Sequence, residues 1–484
     1  MVFSSYFFIF YFLPIALVLY YLSPKKIRHL TLTIISYVFY GWANPMFILL
    51  MLFSTTIDYI CGLFISESIG EWGKPIKLLN KNSTRTKVQY RALLISIISN
   101  LSLLAFFKYF NFGIESYNGL MTGLGFDNYQ YDSFFRVILP LGISFYTFQS
   151  MSYTIDIYRG NAKAIRNFID FTCFVSMFPQ LVAGPIIRFQ EIANQLETRT
   201  HTIQKFTRGI AFFSLGLAKK ILLANPCGKI ADSCFNAVEV GFIDSWYGAI
   251  AYAFQIYFDF SGYTDMAIGI GLMLGFVFSK NFDSPYSSRS ITDFWRKWHI
   301  SLSTWLRDYL YIPLGGNKKG KHRTYINLMI VMLLGGLWHG ASWNFVIWGI
   351  IHGVFLSIER MVGKESLYKK LPKNASILVT FIIVVFAWVF FRSDTLSSAI
   401  NYLSSMLGFN TNVITDNVID ILIWNPYYLL CFIISAIVVW FFPQTWDFTK
   451  KITIPKAVYI LTLFTVSVIT LLTQSFNPFI YFIF

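Results

Sequence analysis

Long apolar runs separated by short polar stretches rich in lysine and arginine set the pattern of this chain. A helix needs about 17 to 25 residues to cross the hydrocarbon core of a bilayer. Runs near 6–22, 30–41, 46–66, 92–110, 136–157, 208–224, 247–276, 376–391, 427–442 and 456–473 predict membrane-spanning helices, the second of them short. The run Tyr6 to Leu22 has no basic residue before it and no small-residue cleavage pattern after it, so it reads as a retained span rather than a signal peptide. Two further stretches break the pattern. Residues 168–187 contain Pro179, Gly184 and Pro185, and residues 325–358 are interrupted by Gly335, Gly336 and Gly340; both begin and end at basic clusters. Irregular backbone at membrane depth must be satisfied by protein or by a water-filled cavity, so both stretches predict re-entrant hairpins around an internal funnel.

The polar stretches set the topology. Lys25, Lys26 and Arg28 form one basic cluster, and Lys74, Lys77, Lys81, Arg85, Lys87 and Arg91 a second. Lys318, Lys319, Lys321 and Arg323 form a third, and Lys364, Lys369, Lys370 and Lys373 a fourth. By the excess of basic residues in cytoplasmic loops, all four face the cytoplasm. No Lys or Arg occurs between Arg392 and Lys450, where Asp416 and Asp420 lie, so the loop from about Ser393 to Trp424 faces outward, as does Glu115 to Tyr131. Between Lys280 and Gly316 the period changes: Trp295, Trp298, Leu302, Trp305, Leu306 and Tyr309 recur at helical spacing, with Arg296, Ser303 and Arg307 on another face. This predicts an aromatic-rich amphipathic helix at the cytoplasmic interface, started by Thr292 or Asp293, with His299 at the edge of its apolar face.

Composition narrows the class. The 484 residues are 55% hydrophobic and only 13% charged, half the charge of an ordinary soluble domain. With no tandem repeat, low-complexity linker or soluble segment, residues 1–484 read as one membrane-embedded domain: an all-α, polytopic integral membrane protein. The net charge of +15 sits in the loop clusters, where it sets orientation rather than binding nucleic acid. Five cysteines without Cys-x-x-Cys spacing exclude a metal site of that kind, although Cys227 and Cys234 fall in a predicted outer loop where a disulfide is an option.

Among the chemistry-bearing residues His339 stands out, because it ends the apolar run Val331-Met-Leu-Leu-Gly-Gly-Leu-Trp-His and another membrane-length segment begins near Trp343. An ionisable group at that depth costs about 2.5–3.5 kcal/mol or more unless it lines a polar cavity or pairs. Asp259 and Asp265 lie within the run Trp246 to Phe278, and either line a tunnel or pair helices. Asn344 is a candidate to support His339, and His352 reads as a packing residue. Lys108, His29, His201 and His322 read as interface or loop residues. No Gly-x-Ser-x-Gly elbow offers a serine nucleophile and no Gly-rich phosphate loop precedes a helix.

Several long motifs carry a resemblance. Asn281-Phe-Asp-Ser-Pro-Tyr, Asp293-Phe-Trp-Arg-Lys-Trp-His-Ile-Ser-Leu-Ser-Thr-Trp-Leu-Arg-Asp, Tyr311-Ile-Pro-Leu-Gly-Gly and Gly336-Leu-Trp-His-Gly-Ala-Ser-Trp-Asn resemble the membrane-bound O-acyltransferase superfamily, most of all its bacterial alginate O-acetyltransferase branch. The resemblance is dense over about residues 250–360. It implies a ring of about eleven transmembrane helices with re-entrant segments enclosing a tunnel, in a bacterial inner membrane. It also implies that His339 of the Trp-His-Gly motif and His299 of Trp-His-Ile-Ser are catalytic, with Trp338 at the substrate.

Acyl transfer from a thioester to a hydroxyl needs a base near neutral pH, for which imidazole is suited. No bound cofactor is expected; acetyl-CoA would be the donor substrate, its phosphates met by Arg296, Lys297 and Arg307. The expected partners are an extracytoplasmic polysaccharide or an acetyl-accepting protein, together with membrane lipids. Candidate acceptors are an alginate-like exopolysaccharide, peptidoglycan and cell-wall polymers. D-alanyl transfer to teichoic acid from a carrier protein is an alternative. So is a non-enzymatic transporter or channel gated by His339.

Overall fold

A computed structural model describes residues 2–42, 44–70, 74–131, 135–363, 370–409, 415 and 417–480, and among these it contains helices and turns and no β-strand. Lys364, Lys369 and Asp416, used above for topology, lie outside the described residues. Among the described residues, six helical stretches are long and apolar enough to cross a membrane: Met46–Ile65, Lys87–Gly123, Ile203–Phe235, Trp343–Val362, Lys373–Arg392 and Ile454–Thr473. Phe8–Leu22 and Pro426–Phe441 are shorter apolar helices. Length and apolarity alone therefore do not reach the count of about eleven. The chain divides into two compact units.

The first unit spans Phe10–Thr202 and Leu274–Phe278. Its main helices are α1 (Leu13–Leu22), α2 (Arg28–Gly41), α3 (Met46–Ile65), α4 (Lys87–Gly123), α5 (Ile143–Arg159) and α6 (Phe168–Ser176). A reciprocal capping box between Thr86 and Gln89 starts α4. The helix then continues far beyond the apolar run 92–110, so much of the expected outer loop after Glu115 is helical. Conversely α5 starts only at Ile143, not near 136, because Gly142 turns the chain with φ +72°. A β-carbon there would lie 2.6 Å from Leu181 O.

Residues 168–187 are broken as their prolines predict: α6 ends at Ser176 and one further turn, Phe178–Leu181, carries Pro179 near its start. Asp58, fully buried on α3, accepts hydrogen bonds from Ser96 Oγ (2.6 Å) and Asn100 Nδ2 (2.8 Å). Lys108 is buried on α4 rather than in a loop.

The second unit spans Val2–Ile9, Ile203–Met273 and Ser279–Phe484. Here α7 (Ile203–Ala218) passes through a π-helical stretch, Lys219–Ala224, into α8 (Asn225–Phe235). Then follow α9 (Phe242–Met273), α10 (Ile291–Lys297), α11 (Ile300–Leu306), α12 (Lys321–His339), α13 (Trp343–Val362), α14 (Lys373–Arg392), α15 (Pro426–Phe441) and α16 (Ile454–Thr473). Cys227 and Cys234 lie buried on α8 as free thiols, not in an outer loop, so the disulfide option is closed.

Helix α9 is buried along nearly its whole length. It meets α7 along a seam of small residues: a β-carbon on Gly209 would lie 2.5 Å from Gly269 O, and one on Gly216 2.5 Å from Gly262 O. Small residues are what let two helices approach so closely within a membrane.

The same device corrects the reading of 325–358. Gly335 and Gly336 do not break the helix; they lie within α12, where a β-carbon on Gly336 would run into Phe345 O of α13 and one on Gly349 of α13 would lie 2.5 Å from Met332 O. The result is a hairpin of two complete helices joined by Gly340 to Ser342.

Candidate active site

His339 is the last residue of α12, because Gly340 leaves the helix in an extended conformation (φ −157°, ψ 150°). It is 6% exposed. Its ring meets Trp338 (centroids 5.0 Å apart), Trp348 of α13 (5.3 Å, nearly perpendicular) and Phe391 of α14 (5.3 Å). Three helices thus supply an aromatic wall around one imidazole.

His299 reaches the same place by a different route. The single amphipathic helix expected over 293–309 does not form; it is split into α10 and α11 by His299, whose backbone is left-handed (φ +42°). Such a conformation costs a non-glycine residue about 1–3 kcal/mol and persists only where the surroundings fix it. Asn281 does so. Its carbonyl accepts from Ile300 N at 2.9 Å, while its side-chain Oδ1 accepts from Ser301 N (3.1 Å) and Ser301 Oγ (2.9 Å).

A backbone N–H can only donate, so that contact fixes which end of the Asn281 amide is oxygen. The His299 Nδ1, 3.2 Å from the same Oδ1, must therefore be the protonated nitrogen. Nε2 is left as a buried acceptor with no hydrogen-bond partner among the described residues. Complete burial, reinforced by neighbouring His339, holds this imidazole well below its ordinary pKa and keeps it neutral. The two histidine rings lie 6.4 Å apart, with Trp338 6.1 Å from His299 and Phe260 edge-on at 4.6 Å.

The segment bearing Arg296 and Lys297 is more than an interfacial anchor, since Phe294, Trp298, Leu302 and Trp305 are buried. Neither Thr292 nor Asp293 starts it. Ser290 Oγ caps Asp293 N, and Glu359 of α13, 2% exposed, accepts from Ile291 N (2.7 Å), Thr292 N (2.9 Å) and Thr292 Oγ1 (2.6 Å). A carboxylate at a helix start meets both free N–H groups and the positive end of the helix dipole.

The other candidates are distributed as follows. Asn344, buried on α13, donates to Ser393 O at the end of α14 (2.5 Å). Arg296 is exposed; Lys297 pairs with Asp293 (2.8 Å) and Arg307 with Asp308 (2.7 Å). Asp259 and Asp265 are engaged by consecutive lysines of the π-helical stretch: Lys220 at 2.7 Å from Asp259, and Lys219 at 2.7 Å from Asp265, which also accepts from Thr445 Oγ1. Two ion pairs, of which Lys220–Asp259 is fully buried, thus join that stretch to α9.

Asn281, Glu359, Lys219 and Lys220 were not singled out from the sequence. The only available signal for the lysines was two adjacent charges in an apolar run holding two aspartates' worth of opposite charge on the next helix.

A family model described as "MBOAT, membrane-bound O-acyltransferase family" matches residues 1–398. A Pseudomonas syringae pv. tomato protein named "Probable alginate O-acetylase AlgI" is 48% identical over 412 residues, 84% of this chain and 76% of that protein. A Helicobacter pylori peptidoglycan O-acetyltransferase is 34% identical over 90% of this chain and 88% of its own length. A Streptococcus thermophilus teichoic acid D-alanyltransferase is 29% identical over 52% of this chain and 68% of its own.

Proposed function

Because the chain belongs to the membrane-bound O-acyltransferase family, and is thus a multi-pass membrane acyltransferase, we propose that it moves an acetyl group from cytoplasmic acetyl-CoA to hydroxyls of an extracytoplasmic polysaccharide. The acceptor class comprises an alginate-like exopolysaccharide, peptidoglycan and related wall polymers, and a membrane-anchored or secreted partner protein completes the transfer. The observation that carries this reading is the pairing of His339 with His299 in a buried aromatic enclosure.

In this reading His339 takes the proton of the acceptor hydroxyl as its oxygen attacks the thioester carbonyl carbon. The C–O bond forms, the C–S bond breaks, and the proton passes from His339 to the departing sulfur. General-base assistance of this kind contributes about 10²- to 10⁴-fold. His299 presents Nε2 as a fixed neutral acceptor that orients the polar end of a substrate, with Trp338 beside both rings. Of the three basic residues assigned to the coenzyme phosphates, exposed Arg296 is the best placed to act, since Lys297 and Arg307 already share carboxylates.

Inverted membrane vesicles, which turn the cytoplasmic face outward, test the donor. Radiolabelled acetyl-CoA added outside should place label in alkali-labile ester on the lumenal polymer. A second reading, D-alanyl transfer from a phosphopantetheinyl carrier, is favoured by the similarity to the teichoic acid D-alanyltransferase. It predicts label from a D-alanyl carrier and none from acetyl-CoA.

A further inference from the structure

Asn344, Trp348 and His352 are spaced four residues apart on α13 and so share one face of it. Trp348 and His352 are both fully buried, their rings 4.9 Å apart, and Trp348 in turn lies 5.3 Å from His339. The Trp295 indole N–H, which can only donate, lies 3.3 Å from His352 Nδ1. His352 Nδ1 therefore accepts, and the ring carries its proton on Nε2. That Nε2–H and the Trp348 Nε1–H, one turn nearer His339, have no hydrogen-bond partner among the described residues.

Two buried donors cannot satisfy each other, and leaving either unmade is costly. Such a pair matches a molecule that offers two acceptors a few ångströms apart, since the two rings that carry the donors lie 4.9 Å from centroid to centroid. A pantetheine thioester has this form: its thioester carbonyl and its first amide carbonyl are separated by five bonds, a reach of about 6 Å when extended.

We propose that Trp348 and His352 hold the acyl donor by two of its carbonyl oxygens, Trp348 Nε1–H at the thioester carbonyl beside His339 and His352 Nε2–H at the adjoining amide. This rests on the thioester-donor reading above. When the acceptor hydroxyl attacks, the carbonyl electron pair moves onto oxygen, and the Trp348 N–H meets that charge. Collapse returns the pair to the carbonyl and expels the thiolate, which takes the proton held by His339. Trp348 is thus a catalytic residue, and His352 a positioning residue that makes the site selective for amide-bearing thioesters.

The test uses inverted vesicles carrying the full chain with its native partners and acceptor, following thiol release above the His339→Ala background. Two acetyl thioesters are compared, S-acetyl-N-acetylcysteamine, which carries the amide, and S-ethyl thioacetate, which lacks it. Wild type should prefer the first by at least about tenfold in kcat/KM, because a site built to hydrogen-bond a group discriminates against its loss.

In His352→Phe the preference should fall to within about twofold; His352→Gln, which keeps a donor, should restore part of it. Trp348→Phe should lower kcat for both substrates by about 10²-fold and leave the preference intact. Acetyl-CoA and an acetylated phosphopantetheinyl carrier protein are run in parallel, and whichever drives wild type should show the same His352 dependence.

A preference unchanged in His352→Phe, or both substrates falling together as a purely structural role requires, overturns the inference and leaves the thioester reading intact. No thiol release by wild type from any of these thioesters removes the reading itself.

Discussion

Asn281 and His299 work as one unit. A single side-chain oxygen of Asn281 fixes Ser301, the left-handed turn and the tautomer of His299. Asn281→Ala removes that acceptor three times over, so both the ring orientation and the free lone pair on Nε2 are lost. Orienting partners of this kind are worth about 10- to 100-fold in activity, and acetyl transfer at matched membrane level should fall by that factor. A rate within twofold of wild type would show that the turn holds without it. The histidine pair was legible in the sequence because both residues sit in long motifs. Asn281 was not singled out, although it opens one of those motifs, because its role depends on a turn that helical periodicity does not reveal. For the same reason the Trp295 to Tyr309 stripe reads as one helix: a left-handed residue leaves no mark on hydrophobic spacing.

At the level of elements, tertiary caps and buried pairs decide where helices start and how they pair. Glu359 anchors the start of α10 from 68 residues away in sequence. Glu359→Ala strips three donors of their acceptor, at a cost of about 1–3 kcal/mol. This should show as a lower unfolding temperature in detergent, with Glu359→Gln between it and wild type.

The Lys220–Asp259 pair makes a sharper case. Asp259→Asn leaves a buried ammonium without its counter-charge, a loss of about 3–5 kcal/mol, whereas replacing both partners with apolar residues is often neutral. Folded yield in the membrane should therefore collapse in Asp259→Asn and recover in Lys220→Met/Asp259→Leu; equal yields for the two would show that the pair carries no net weight. A hydropathy average over 208–224 hides both lysines, because apolar neighbours outweigh them. The same averaging stops α4 short at 110, where the helix merely becomes more polar and continues.

For the whole molecule, the class was legible throughout: the apolar runs agree with the helices of the described residues, since a bilayer forces each spanning segment to satisfy its own backbone. The glycines of α12 and α13 were misread because glycine spacing alone does not distinguish a broken helix from two helices in close contact. Orientation rests on the basic loops. A cysteine introduced at exposed Lys319 should stay unreacted with an impermeant thiol reagent on intact cells and react in inverted vesicles; labelling of intact cells would put the donor face outside. The role of His339 as the base for O-acyl transfer to a surface polymer is tested by ester acetate per sugar residue in fractionated cell-surface polymers from cells carrying wild type or His339→Ala. Ester acetate should fall in one polymer by about 10²-fold or more with the chain still present in the membrane; acetate content equal to wild type in every fraction would show that His339 is not the base.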